Sequence, residues 1–121
     1  MKQRRWEPNM KKEKDKVLKI MNELVCFFFT LDILHPRIQI DMEDTHAAVN
    51  VQGECNNPDH KKLERFMELV NVARQDDYDE YYWNLAGNSK YPELILLGTL
   101  VDVATVEHEN NILSITVIRN N

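Results

Sequence analysis

Four histidines and two cysteines are the side chains with the readiest chemistry in this chain, and their spacing assembles nothing. His35, His46, His60 and His108 fall on predicted turns and helix starts, and no two stand at a metal-ligand interval. Each reads as a surface or capping residue. Cys26 and Cys55 are too few for a disulfide framework and fit no zinc spacing. Both are expected as reduced thiols, with Cys26 acting as a small core hydrophobe. Cys55 follows Glu54 and has no neighbouring cation in sequence to hold it as a thiolate. No Gly-x-Ser-x-Gly, Walker loop or His-Glu-x-x-His occurs, which removes α/β-hydrolase, P-loop and zincin chemistry.

Contact chemistry is better represented. The stretch "DDYDEYYW" sets Tyr78, Tyr81, Tyr82 and Trp83 among acids, and these residue types are enriched at the cores of protein interfaces. Tyr78, Tyr82 and Leu85 share a helical face, a spacing that also suits inward packing.

At 121 residues and 43% hydrophobic content, the chain is sized for one domain with a real core. No apolar run approaches the roughly 20 residues that cross a bilayer, and no signal-peptide core follows the basic first residues. A cytoplasmic protein without a membrane partner is expected. Net charge is −5, unevenly spread: residues 1–19 hold eight Lys/Arg against three acids, a balance of +5 that leaves −10 for the remainder. This basic stretch has no repeated pattern of interleaved aromatics and no RNA-binding motif. It reads as a solvated helix face with a frayed end, and nucleic acid is not an expected partner. Residues 1–9 form a loose basic leader, and 10–121 form the single domain.

The elements that must position any site follow from periodicity. Val17, Ile20, Met21, Leu24, Phe27, Phe28 and Leu31 recur at helical steps from about Met10, and His35-Pro36 breaks the pattern. "RIQIDMEDTHAAVNVQG" is a hairpin: Ile38, Ile40 and Met42 alternate, "EDTH" turns, then Ala47, Val49 and Val51 alternate, with Gly53 as its end. One face of that hairpin is expected to be buried. Asn57 as cap and Pro58 as first residue open a second helix carrying Leu63, Phe66, Met67 and Val70. A short acidic helix follows, capped by Asp76 or Asp77 and stopped by Gly87. The tail is a hairpin turned by "ENN", with Leu113, Ile115 and Val117 on one side. Between them, Leu94 to Val101 fits both a helix, striped by Leu94, Leu97, Leu100 and Val101, and a fully apolar strand.

This order resembles the GHKL, or Bergerat-fold, ATPase domain of histidine kinases and anti-sigma factor kinases. "NELVCFFFTLDILHPRIQIDMEDTHAAVNVQG" is similar to that family's N-box helix and following hairpin. "PELILLGTLVDVATVEHENNILSITVIR" is similar to its closing helix and last two strands; together the two cover about half the chain. The resemblance implies a helix to about Asp102 and a strand from near Val103. It also implies an α/β two-layer sandwich: a mixed, mostly antiparallel sheet of about four strands, covered on one face by helices, in the order α-β-β-α-α-α-β-β.

The family's site can be read position by position. Glu23 falls at the acid of the N-box, but Phe27 occupies the position of the Mg²⁺-holding Asn, and a phenyl ring offers no oxygen. In "VQGECNN", Gly53 stands where an Asp would read adenine, with Glu54 one position away. Tyr91 and Glu93 replace the phosphate-loop glycines, Pro92 between them has no N–H, and Lys90 is the one cation of that stretch. The resemblance therefore implies a non-catalytic regulatory or adaptor domain that binds a protein partner through Tyr78, Tyr81, Tyr82 and Trp83, with possible homodimer formation through the sheet and no cofactor. The alternative is an active small ATP-binding anti-sigma-type kinase using ATP with Mg²⁺, in which Glu23 is the base, Glu54 reads adenine and Lys90 meets phosphate.

Overall fold

The computed structural model describes residues 8–72 and 97–120. The acidic helix, Tyr78, Tyr81, Tyr82, Trp83, Lys90 and the Tyr91-Pro92-Glu93 segment lie outside the described residues, as does most of the leader. Helix α1 spans Pro8–Thr30, strands β1 and β2 span Arg37–Met42 and His46–Glu54, and helix α2 spans His60–Val72. Residues 97–100 are helical, and β3 (Val103–Glu109) and β4 (Ile112–Asn120) close the chain. The described part of the ambiguous run is thus helix, with the strand starting at Val103 as expected.

The four strands form one sheet in the order β1-β2-β4-β3, antiparallel at all three pairings. Helices cover one face, so the chain is an α/β two-layer sandwich, the architecture that the resemblance implied. Ala47, Val49 and Val51 of β2 pair across to Arg119, Val117 and Ile115 of β4, and the apolar members of these pairs are buried beneath α1. Phe28, Leu24, Ile20 and Val17 of α1 and Phe66, Leu69 and Val70 of α2 complete the core. Each such side chain contributes about 1.5–3 kcal/mol on burial. The face turned away from the described helices is polar at its centre, where the Asn50 amide donates to Ser114 Oγ at 2.9 Å and Thr116 Oγ1 at 2.8 Å.

Local endings follow backbone rules. Asp32 has φ 63°, Asp32 N–H donates to Phe29 O at 3.0 Å, and Ile33 N–H donates to Phe28 O at 3.1 Å. That is a Schellman stop with aspartate where glycine is usual, so α1 ends before Pro36 can act. Asn110 and Asn111 both have positive φ, the requirement of a two-residue type I′ hairpin. The "ENN" turn is therefore as expected.

Four further sequence expectations are corrected. α2 is capped by Asp59, whose Oδ1 accepts from Lys62 N–H at 3.1 Å, because α2 starts after Pro58 and not at it. β2 runs through Gly53 to Glu54. Cys26 is exposed, since it falls on the side of α1 away from the core stripe. The apolar face of the first hairpin is buried only on β2, for Ile38 and Met42 of the edge strand β1 remain 42% and 36% exposed.

Candidate functional site

Helical spacing places Glu23 and Phe27 one turn apart on α1, and their surroundings separate them chemically. Phe27 is buried, and its ring stacks on Phe66 of α2 with centroids 4.7 Å apart and planes at 23°. The position of a magnesium ligand in the resembled family is thus part of an aromatic pair holding two helices together. Glu23 is also buried, and its carboxylate accepts from Lys19 Nζ at 2.9 Å, one turn back on the same helix. A buried carboxylate needs such a partner to offset lost hydration.

Gly53 is set by close approach. It lies on the core face of β2, opposite Leu113, and a Cβ there would collide with Ile33 Cγ2 from the loop that follows α1. The bare backbone lets Ile33 and Pro36 seat directly on the strand.

Beside that loop lies a cleft of about 710 Å³. It is lined by Arg37 of β1 and Gln52 of β2, which are register partners, by Asp32 and His35 of the loop, and by Gly53, Glu54 and Ile112. The charged groups are two carboxylates and one guanidinium, with one imidazole beside them. Such a lining can hydrogen-bond a mixed polar segment, but gives no concentrated field for a phosphate chain. Among the described residues, no group of three or more His, Cys, Asp or Glu is placed to hold a metal ion. Glu54 lines this cleft and Glu23 does not, so the structure does not join the two candidate acids in one site. Arg37 and Gln52 were not singled out in sequence; their signal was the polar phase of the hairpin alternation.

Two further polar contacts organise the region. Cys55 N–H donates to Asn111 O at 2.7 Å, and His108 Nε2 lies 2.6 Å from Cys55 O, clipping the end of β2 onto the β3–β4 turn. His108 is exposed, as a surface histidine was expected to be. At the opposite end of the sheet, Arg119 bridges Glu13 of α1 and the carbonyl of Leu100.

Comparison with protein-family models, with curated proteins and with solved structures finds no match for this chain. No helix among the described residues is long and apolar enough to cross a membrane.

Proposed function

We propose that this chain is a non-catalytic regulatory or adaptor domain on a scaffold like that of the histidine kinase-type ATPases, acting through protein–protein contact. The observation that carries the reading is Phe27, buried and stacked on Phe66 where a relative with working chemistry would present an oxygen to Mg²⁺. Gly53 supports it independently, because Ile33 packs directly on its bare backbone at the position where a relative would carry the adenine-reading Asp. Glu23, the sole acid that could serve as base on α1 in that scheme, is committed to Lys19. No cofactor is required. The partner surface we assign by residue type is Tyr78, Tyr81, Tyr82 and Trp83, and the location is cytoplasmic.

A melting experiment tests this directly. A ligand that binds only the folded state raises Tm as its concentration passes Kd. We expect the melting temperature to be unchanged by ATP with Mg²⁺. A rise that grows with ATP concentration and requires Mg²⁺ would establish the kinase alternative instead.

A further inference from the structure

Helix α1 begins well before the core does. Between residues 11 and 16 no side chain is buried, and the core stripe starts at Val17. The stretch is also a weak helix start in its own right. Its first turn holds no acid, and Lys11 and Lys12 set positive charge near the positive end of the helix dipole. Most helical stability in proteins comes from tertiary packing, so a start of this kind needs an anchor. Arg119 of β4 supplies one, donating from Nε to Glu13 Oε1 at 2.8 Å and from Nη2 to Glu13 Oε2 at 3.3 Å.

We propose that residues 8–16 of α1 form an acid-released strap, docked on β4 through the Glu13–Arg119 pair and let go when Glu13 takes up a proton, while the core from Val17 onward stays folded.

The arrangement of charge turns weakening into release. Glu13 stands between two cations: Arg119 lies across the contact, and Lys16 Nζ is 3.8 Å from Glu13 Oε2 on the same helix. Neutralising the carboxyl removes both attractions and leaves Arg119 and Lys16 on either side of an uncharged group. Residues 11–16 hold four lysines against Glu13 and Asp15, so their balance also rises from +2 to +3. Among the described residues, the other charge beside Arg119 is Asp102, whose Oδ2 accepts from Asn120 N–H at 2.6 Å. On β2 the register partner of Arg119 is Ala47, which has no charge to substitute for Glu13. Arg119 keeps a second anchor, donating from Nη1 to Leu100 O at 2.9 Å, so it stays in place when the strap leaves and can recapture it.

The direction of the response follows from the contact. The Arg119 hydrogen bond holds the Glu13 carboxyl below its ordinary value of 4.5, burial opposes this, and the charges of Arg119 and Lys16 add to the lowering. Docking is therefore complete above the released value near 4.5 and is lost as pH falls through the docked value.

Native-state amide hydrogen exchange of the full chain tests the proposal, read as protection factors so that the intrinsic pH dependence of exchange is removed. Between about pH 7 and about pH 3, protection of the amides of residues 12–16 should fall about tenfold or more, while that of Ile20 to Phe28 changes far less. Glu13→Gln should leave residues 12–16 poorly protected at neutral pH, with no further step in acid. Lys16→Met removes one of the two cations, and should keep the strap docked at neutral pH with a smaller acid step. Protection lost from both stretches together, a strap indifferent to pH, or a Glu13→Gln chain that keeps the wild-type acid step would each overturn it. Nucleotide enters no arm, so this test and that of the proposed function fail separately.

Discussion

Arg119 and Glu13 are 106 residues apart in sequence and joined by two hydrogen bonds, Nε to Oε1 at 2.8 Å and Nη2 to Oε2 at 3.3 Å. The same guanidinium donates from Nη1 to Leu100 O at 2.9 Å, so one side chain on β4 ties down α1 and the helical segment before β3. The hydrogen bond from Arg119 holds the Glu13 carboxyl below its ordinary value of 4.5; burial opposes this, and the charges of Arg119 and Lys16 add to the lowering.

A pH dependence follows. Glu13 binds its proton less readily in the folded state, so its stabilising contribution is complete above the unfolded value near 4.5 and is lost as pH falls through the folded value. Charge-assisted pairs of this kind contribute about 1.5–3 kcal/mol. Glu13→Gln should therefore lower stability at pH 7, and its deficit relative to the wild type should shrink as pH falls below about 4.5 in urea titrations. An unchanged deficit across that range would mean the carboxylate charge contributes nothing.

Asp32→Gly should stabilise the chain. Asp32 closes α1 in the left-handed region, at φ 63°, where a Cβ is strained. Removing it should raise unfolding free energy by about 0.5–1 kcal/mol. Thermal unfolding reads this, and a loss of stability would show that the aspartate side chain matters more than its backbone strain.

Gly53→Ala should destabilise by about 1–3 kcal/mol through overpacking against Ile33. Ile33→Ala removes the opposing Cγ2, so the double variant should be more stable than the sum of the single effects predicts. A double-mutant cycle with no coupling would mean that the loop seats elsewhere on β2.

Phe27→Asn places the family's ligand type at the resembled position. It should cost about 3–5 kcal/mol, as loss of a buried ring does, with no gain of Mg²⁺-dependent nucleotide binding. Phe27→Leu should cost distinctly less in the same denaturation series, because volume is largely kept.

The fold was legible wherever periodicity and turn chemistry agreed. The stripe from Val17 to Leu31, the alternation of Val49 and Val51, and the paired asparagines at 110 and 111 each declared an element through short-range rules. The run from Leu94 to Val101 did not, because a short apolar-rich stretch satisfies both helical and strand spacing. Residue order, taken from the resemblance, was needed to choose helix there. Asp32 was missed as a helix stop because Pro36 is the louder signal, and Asp59 was missed as a cap because Asn57-Pro58 matches the usual pattern two residues early. The site was less legible than the fold. Phe27 could be named as a misfit in sequence, but its stacking on Phe66 depends on how two helices cross. The exposure of Ile38 and Met42 was invisible for a related reason: alternation shows which face is apolar and says nothing of whether a helix reaches the edge to cover it.

The central proposal is that this chain binds no nucleotide, and equilibrium titration of the purified full chain with a fluorescent ATP analogue in Mg²⁺ tests it most directly. The account predicts a flat response, unchanged by Glu23→Gln or Glu54→Gln. Saturable binding in the micromolar range, displaced by unlabelled ATP and weakened by either substitution, would contradict it.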